Sequence, residues 1–221
     1  SRQKPFVRKW IQQDFPGSCL FGRDFSWLPL NANEWEYSGK EKKKLRLKMP
    51  GRFQRDNAST VLCAMEQMWG KLEENAVSAL SRAFLPGRME YIRAHPPLLL
   101  DGAHNTDSIR TLVKEIKRAH PGQKWIFLIG IQATKPAEKM IPLLEEIAEE
   151  FVFTDVPGAL HPRPKEDLPA YTRLPYRLLP FPDALFWCLQ TGKPFCITGS
   201  LYLVGSARKA LHLPIPHLFG E

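Results

Sequence analysis

The 221-residue chain (25.3 kDa) is 43% hydrophobic and 24% charged, a balance that excludes a disordered polyelectrolyte and allows one large domain or two small ones with real cores. It holds no run of about 18 uninterrupted apolar residues, the length a membrane-spanning helix needs, and its start, Ser1-Arg2-Gln3-Lys4-Pro5, lacks the apolar stretch of a secretory signal. The formal charge of +8, from 31 basic and 23 acidic residues, invites a nucleic-acid reading that the motifs must support or refuse.

Residues 1 to about 50 read as irregular and β-rich, punctuated by Pro5, Pro16, Gly17, Pro29 and Gly39, with no strong helix. Much of the charge excess lies early: residues 1–83 hold 15 Lys+Arg against 9 Asp+Glu, the remainder 16 against 14. Its densest run is Lys40-Glu41-Lys42-Lys43-Lys44-Leu45-Arg46-Leu47-Lys48. Here Leu45, Leu47 and Met49 alternate with Lys44, Arg46 and Lys48, the period of a half-buried strand with a charged outer face. Ser38-Gly39 is a turn signal, and Trp35-Glu36-Tyr37 is the expected partner strand. The run reads either as a solvated hairpin face or as a cationic surface for a phosphate or polyanion. Residues 57–82 are expected to be helical, because Ala58, Val61, Leu62, Met65, Met68 and Trp69 recur at helical spacing, with Leu72, Val77 and Leu80 extending the pattern.

After Pro86-Gly87 strands and helices alternate. Strands are predicted over 89–94, 98–100, 125–131, 151–154, 176–179 and 195–198. Helices are predicted over 107–119 (ended by His120-Pro121-Gly122), 137–150 (Glu138 and Lys139 outward), 182–191 and 201–211, with a Pro-rich surface loop over 157–169. This alternation implies βαβ units: an α/β fold, with a Rossmann-like domain over 84–221 whose mostly parallel sheet is flanked by helices. Residues 1–83 read as a separate unit of different texture. The cysteines Cys19, Cys63, Cys188 and Cys196 form no C-x-x-C and have no His pair at ligand spacing, so reduced thiols are expected rather than a zinc site or a disulfide scaffold.

In a parallel sheet the working residues gather at the carboxyl ends of strands. Leu98-Leu99-Leu100-Asp101-Gly102-Ala103-His104-Asn105 delivers a carboxylate, a glycine, an imidazole and an amide into one turn before a helix. Asp101 is suited to accept hydrogen bonds from hydroxyls such as those of a ribose, and His104 to bind an anion or position a nucleophile. Helix capping accounts for Asn105 or Thr106 but leaves His104 unexplained. Ile197-Thr198-Gly199-Ser200 is a second such end, where a glycine and a helix N-terminus offer N–H groups to an anion or simply make a βα turn. Pro86-Gly87-Arg88 sits between the two halves, and its arginine can clamp phosphate or stand as a surface side chain.

Pro86-Gly87-Arg88-Met89-Glu90, then Leu98 through Asn105, then Thr198-Gly199-Ser200-Leu201-Tyr202-Leu203-Val204-Gly205 together resemble the C-terminal half of the folylpolyglutamate synthase/dihydrofolate synthase family of the Mur ligase superfamily. Gly22-Arg23-Asp24-Phe25 and Pro50-Gly51-Arg52-Phe53-Gln54-Arg55-Asp56-Asn57-Ala58 resemble the end of that family's P-loop ATPase domain. The resemblance implies an ATP-dependent amide ligase: a folate or dihydropteroate carboxylate becomes an acyl phosphate, and the amine of L-glutamate displaces phosphate. It implies that Asn57 contacts adenine, that Arg88 and Asp101 hold the ribose and phosphate region, and that His104, as the catalytic residue, and Ser200 lie near glutamate. Amide, carboxylate and guanidinium suit those partners chemically.

The sequence also departs from the family. No G-x-x-G-K-[ST] occurs in it, so the phosphate-cradling loop is lacking, and the magnesium ligands are expected upstream of Ser1 with no metal ligand here. The chain is therefore expected to be the C-terminal part of a longer cytoplasmic ligase, inactive alone and monomeric at full length. Where the family has an acidic Asp-Lys-Asp-like turn, this chain reads Ile131-Gln132-Ala133-Thr134-Lys135-Pro136, and Lys135 alone keeps the charge. Two other classes compete: a basic nucleic-acid-binding module using the 40–48 surface, for which no motif is found, and a non-catalytic Rossmann-like interaction domain. The expected partners are small molecules, with neither nucleic acid nor membrane among them.

Overall fold

A computed structural model describes residues 5–31 and 34–214; the basic start Ser1-Arg2-Gln3-Lys4 lies outside the described residues. The chain divides into two compact units, Ser1–Phe84 and Leu85–Glu221. No helix among the described residues is long and apolar enough to cross a membrane.

The first unit opens with a helix that its punctuation did not suggest, α1 (Pro5–Asp14). Proline is at home in the first turn of a helix, where its missing N–H has no partner to lose, and Phe6 and Trp10 come next at i, i+4. Three antiparallel strands, β1 (Ser26–Pro29), β2 (Glu34–Ser38) and β3 (Lys42–Arg46), form a sheet in that order. As the sequence implies, β2 and β3 pair across the 38–41 turn, burying Trp35, Tyr37 and Leu45. On the outer face Glu36 lies opposite Lys44 and Glu34 opposite Arg46, and Lys42 pairs with Glu36 at 3.6 Å. That is the solvated hairpin face, its cations partly offset by cross-strand acids.

The single helix expected over 57–82 is two: α2 (Arg52–Trp69) and α3 (Glu74–Arg82). Gly70 takes a left-handed C-cap (φ 78°) and breaks the run, so Val61, Met68 and Trp69 are exposed, while Ala58, Leu62, Met65, Leu72 and Val77 pack in the core. Glu66 of α2 is buried at 1% exposure, yet accepts from the Tyr37 hydroxyl (2.7 Å) and the Lys40 and Glu41 amides (3.2 and 2.8 Å). This buried carboxylate thus fixes the hairpin turn to the helix.

The second unit is the α/β domain. Its strands are β4 (Glu90–Ala94), β5 (Pro97–Leu100), β6 (Trp125–Ile129), β7 (Ala148–Phe153), β8 (Tyr176–Leu178) and β9 (Phe195–Thr198), in the spatial order β4-β5-β9-β6-β7-β8. Only β4 with β5 is antiparallel; the other four pairings are parallel. The helices are α4 (Thr106–Ala119), α5 (Ala137–Leu144), α6 (Asp183–Gln190) and α7 (Leu201–Ala210). Leu98, Leu100, Ile126, Leu128, Phe195 and Ile197 pack with α6 and α7 on one face of the sheet. Alternate residues such as Leu99, Phe127, Ile129 and Cys196 are equally buried on the other, which the apolar stripes of α4 and α5 cover.

One boundary moves substantially. Residues 137–150 do not form one helix: α5 stops at Leu144, and Ala148 onward joins the sheet beside Trp125. Ala-Glu-Glu favours helix locally, but pairing with β6 buries Phe151, Val152 and Phe153 completely, and that outweighs propensity. Within the expected 157–169 loop, a 3-10 turn (Lys165–Tyr171) buries Leu168.

The last strand in sequence, β9, lies between β5 and β6, so three carboxyl ends converge. Gly199 follows β9 with φ 96°, where a Cβ would lie 2.7 Å from the Gly130 carbonyl oxygen and 2.8 Å from Ile129 Cγ1. Gly199→Ala is expected to destabilise the domain by about 3 kcal/mol, from left-handed backbone strain plus overlap with fixed backbone. Gly205→Ala, in the exposed middle of α7 with nothing within 4 Å of the new methyl, is expected to stabilise it by about 0.5–1 kcal/mol. Urea unfolding followed by tryptophan fluorescence measures both, and equal effects would contradict the close approach.

Candidate functional site

Each of the three converging strand ends turns directly into candidate site residues. Beyond β5, Asp101 is 5% exposed and uses both oxygens: Oδ2 accepts from the Met89 amide at 2.8 Å and Oδ1 from the Ala103 amide at 2.9 Å. The Asp101 N–H donates to Ile197 O (3.0 Å), the Gly102 N–H to Gly87 O (2.8 Å) and the Gly199 N–H to Ala103 O (2.9 Å). One carboxylate therefore ties together the 86–89 turn and the turn after β5, which is itself bonded to β9. Burial raises the Asp101 pKa; the Met89 and Ala103 N–H groups oppose that rise, as do, to a smaller extent, the charges of Arg88 and His104.

His104 is half-buried. Its Nδ1 lies 2.8 Å from the Gly102 carbonyl oxygen and its amide donates to Ser108 Oγ at 3.1 Å. A carbonyl only accepts, so Nδ1 carries the proton of that bond and Nε2 is the ring nitrogen left for a ligand. Asn105, not Thr106, caps α4: its side chain accepts from Ser108 N, and Ser108 returns the contact in a capping box. Capping thus accounts for Asn105 and leaves His104 without a structural task beyond its turn.

After β9, Ser200 is 1% exposed and caps α7, accepting from the Tyr202 amide at 3.2 Å. A cavity of about 170 Å³ opens here, lined by His104, Gln132, Lys135, Gly199, Ser200 and Tyr202 among others. It is smaller than the roughly 300–1,000 Å³ of drug-sized pockets, which suits an amino acid or a phosphate group rather than a whole nucleotide.

The loop after β6 supplies Gln132 and Lys135. It is braced by the 157–169 segment: Ala133 N–H donates to His161 O (3.0 Å), and the Arg163 guanidinium donates to Ala133 O and Lys135 O (3.1 and 3.0 Å). Arg163 gave no signal in the sequence, because an arginine among prolines is an ordinary loop residue. A larger concavity, about 490 Å³, lies on the outer face of α4 among Arg110, Lys114 and Lys117, apart from the strand ends.

The structure therefore brings His104 and Ser200 into one cavity, with Asp101 on the same turn as His104 and Arg88 on the adjoining 86–89 turn. Arg88 is partly exposed and has no hydrogen-bond or ion-pair partner among the described residues. Asn57 lies in the first unit, exposed on the second turn of α2, with Nδ2 3.2 Å from Gln54 Oε1. Among the described residues no group of three His, Cys, Asp or Glu side chains could hold a metal ion. All four cysteines are free thiols, three of them buried.

The class of protein emerges from comparison with known families: residues 87–173 match the family described as Mur ligase, glutamate ligase domain. The dihydrofolate synthase/folylpolyglutamate synthase of Bacillus subtilis is 29% identical over 178 residues, 76% of this chain and 41% of that protein. The fold matches Mycobacterium tuberculosis folylpolyglutamate synthase complexed with ADP and AMPPCP, with a TM-score of 0.85 and 21% identity over 98% of this chain and 55% of that one. It also matches the bifunctional folylpolyglutamate synthase/dihydrofolate synthase of Yersinia pestis complexed with AMPPNP and Mn ion (TM-score 0.79, 21% identity, 96% of this chain and 52% of that one). The chain thus spans about half the length of the relatives it matches. Together these findings support the folylpolyglutamate synthase family of the Mur ligase superfamily, as the 86–90, 98–105 and 198–205 motifs imply.

The Asp101 environment gives a direct test. Its native pKa is raised above its unfolded value, so its contribution to stability is fully present below the unfolded pKa and is lost as pH rises through the native one. In a carbon-13 NMR titration the Asp101 carboxyl should titrate above the ordinary aspartate range, and Arg88→Ala should move it higher still. A midpoint unchanged by Arg88→Ala would mean that the guanidinium does not act on this carboxylate.

Proposed function

We propose that the chain is the C-terminal part of an ATP-dependent ligase that adds L-glutamate to folate or dihydropteroate. The observation that carries this reading is the coincidence of the matched glutamate ligase domain with a small polar cavity at the carboxyl ends of β5, β6 and β9. In it, Leu85–Glu221 is the C-terminal domain and Ser1–Phe84 is the end of the ATPase domain. The reading also supposes a cytoplasmic ligase, monomeric at full length.

The reaction forms an acyl phosphate when a substrate carboxylate oxygen attacks the γ-phosphorus of ATP and ADP departs. The glutamate amine then attacks the acyl carbon, phosphate leaves, and one proton is lost from nitrogen. In this chain Lys135 and the N–H groups at the start of α7 supply positive potential for a carboxylate or phosphate. His104 Nε2, fixed as an acceptor by the Nδ1 bond to Gly102, is placed to take the amine's proton. Arg88, free of protein partners among the described residues, binds phosphate or ribose oxygens, and Asn57 offers an amide to adenine. Asp101 acts mainly by holding Arg88's turn, with little surface left for a ribose. ATP carries Mg2+, and this reading looks for the metal's ligands outside the described residues, among which no group of three His, Cys, Asp or Glu side chains could hold it.

In the longer ligase, ATP, a folate or dihydropteroate acceptor and L-glutamate should yield ADP, phosphate and the amide, and hydroxylamine in place of glutamate should yield the acyl hydroxamate. His104→Ala should lower kcat by about 10²–10⁴. The 221-residue chain alone should bind AMPPNP more weakly than about 0.1 mM, because it lacks the phosphate-cradling loop. Sub-micromolar binding by the chain alone, or full turnover by His104→Ala, would overturn the respective assignments.

A further inference from the structure

We propose that Glu90 and Arg208 are positioning residues that hold Arg88 in place, a proposal resting on the reading of Arg88 as a nucleotide contact. Arg88 lies between two residues with left-handed backbone, Gly87 (φ 68°) and Met89 (φ 48°). A methionine is disfavoured there, so the turn persists only because its surroundings over-determine it. Three bonds do so from within the domain: Gly87 N–H to Glu90 Oε2 (2.8 Å), Met89 N–H to Asp101 Oδ2 (2.8 Å) and Gly102 N–H to Gly87 O (2.8 Å).

The first of these depends on a residue far away in sequence. Glu90 is buried at 8% exposure, and its second oxygen, Oε1, accepts from the Arg208 guanidinium in the last turn of α7. The pair is nearly sealed from water, with side chains 12% and 9% exposed. Arg208 also donates to Pro214 O at 2.6 Å, which fixes the guanidinium from its other side. Without Arg208, Glu90 would hold a buried carboxylate with one oxygen unpaired; it would swing to solvent, and Gly87 N–H would lose its acceptor. The same helix begins at Leu201, where Ser200 caps it at the cavity. One rigid rod of ten residues, about 15 Å long, therefore carries the cavity at one end and the latch of the Arg88 turn at the other. Nothing in the reaction requires Arg208 to touch a substrate; its role is to set where Arg88 points.

The test has two parts. In the 221-residue chain, Arg208→Met should speed amide hydrogen exchange at Gly87 and Met89 by about tenfold or more while leaving Phe127 in β6 protected. Should Arg208→Met also expose Phe127, Arg208→Lys carries the test, with a smaller, selective increase at Gly87. Unchanged exchange at Gly87 overturns the proposal. In the longer ligase, Arg88→Ala and Arg208→Met should each raise KM for ATP by about tenfold with kcat within about threefold, and Arg208→Lys should restore part of the loss. The double variant should be no worse than Arg88→Ala alone, because both act through one group. Additive effects, or a KM unmoved by Arg208→Met, overturn the positioning role. A KM unmoved by Arg88→Ala instead overturns the nucleotide reading, and positioning of the turn then stands or falls on the Gly87 exchange result.

Discussion

Burying an aspartate is costly unless its oxygens are paired, and Asp101 meets that condition with two backbone N–H groups from different turns. The bond to Met89 closes the turn that carries Arg88, and the bond to Ala103 closes the turn that carries His104. Remove the carboxylate and two buried amides lose their partners at once, so the site residues on either side are fixed together or not at all. Charge still matters: burial raises the pKa, while the nearby Arg88 works against that rise. The residue that looked from sequence like a ligand for sugar hydroxyls also joins the two turns of the site, each of its oxygens accepting one backbone N–H.

The second constraint is topological. β9 enters the sheet last in sequence but lies between β5 and β6, so Ala103 O meets Gly199 N–H across a separation of 96 positions. Only an absent side chain permits the approach of Gly199 to Gly130 O, which is why a glycine closes the strand there. Crossing strands at this point leaves a shallow opening whose walls come from three separate βα turns. The opening is small because the turns are tight, and a small opening favours a compact, charged ligand over an extended one.

Alternation of apolar strands with amphipathic helices made the α/β domain readable, and the polar residues just after Leu100 and Thr198 marked two of its three working ends. The features that could not be read depended on partners distant in sequence. Ala148-Glu149-Glu150 continues a helical pattern until Trp125 and Ile126 offer it an edge, and only the sheet makes that offer visible. In α1, proline looked like punctuation because its place in a first turn depends on the residues after it. Ser200 was visible as a polar residue, but that its oxygen accepts the cap bond from Tyr202, leaving its O–H to donate at the cavity wall, was not. Arg163 carries no pattern at all; its value lies in two carbonyls of a loop about 30 positions upstream.

The site holds side chains committed to the protein beside others that are not. Asp101, Glu90 and Arg163 bond to backbone groups of neighbouring turns and so fix geometry, whereas Ser200 accepts one cap bond and keeps its O–H to donate. Arg88 has no such partner among the described residues, and the Nδ1 bond of His104 leaves its other ring nitrogen open to a ligand. In the proposed ligase, chemistry at this site falls to a guanidinium and an imidazole on neighbouring turns, with Lys135 on a third. Their separation in sequence is bridged by buried carboxylates rather than by packing alone, because a hydrogen bond fixes direction where an apolar contact fixes only distance. The proposed ligase reaction would require a cation and a proton acceptor that each point correctly, and the two buried acids Asp101 and Glu90, within a dozen residues of each other, hold the turns that carry them.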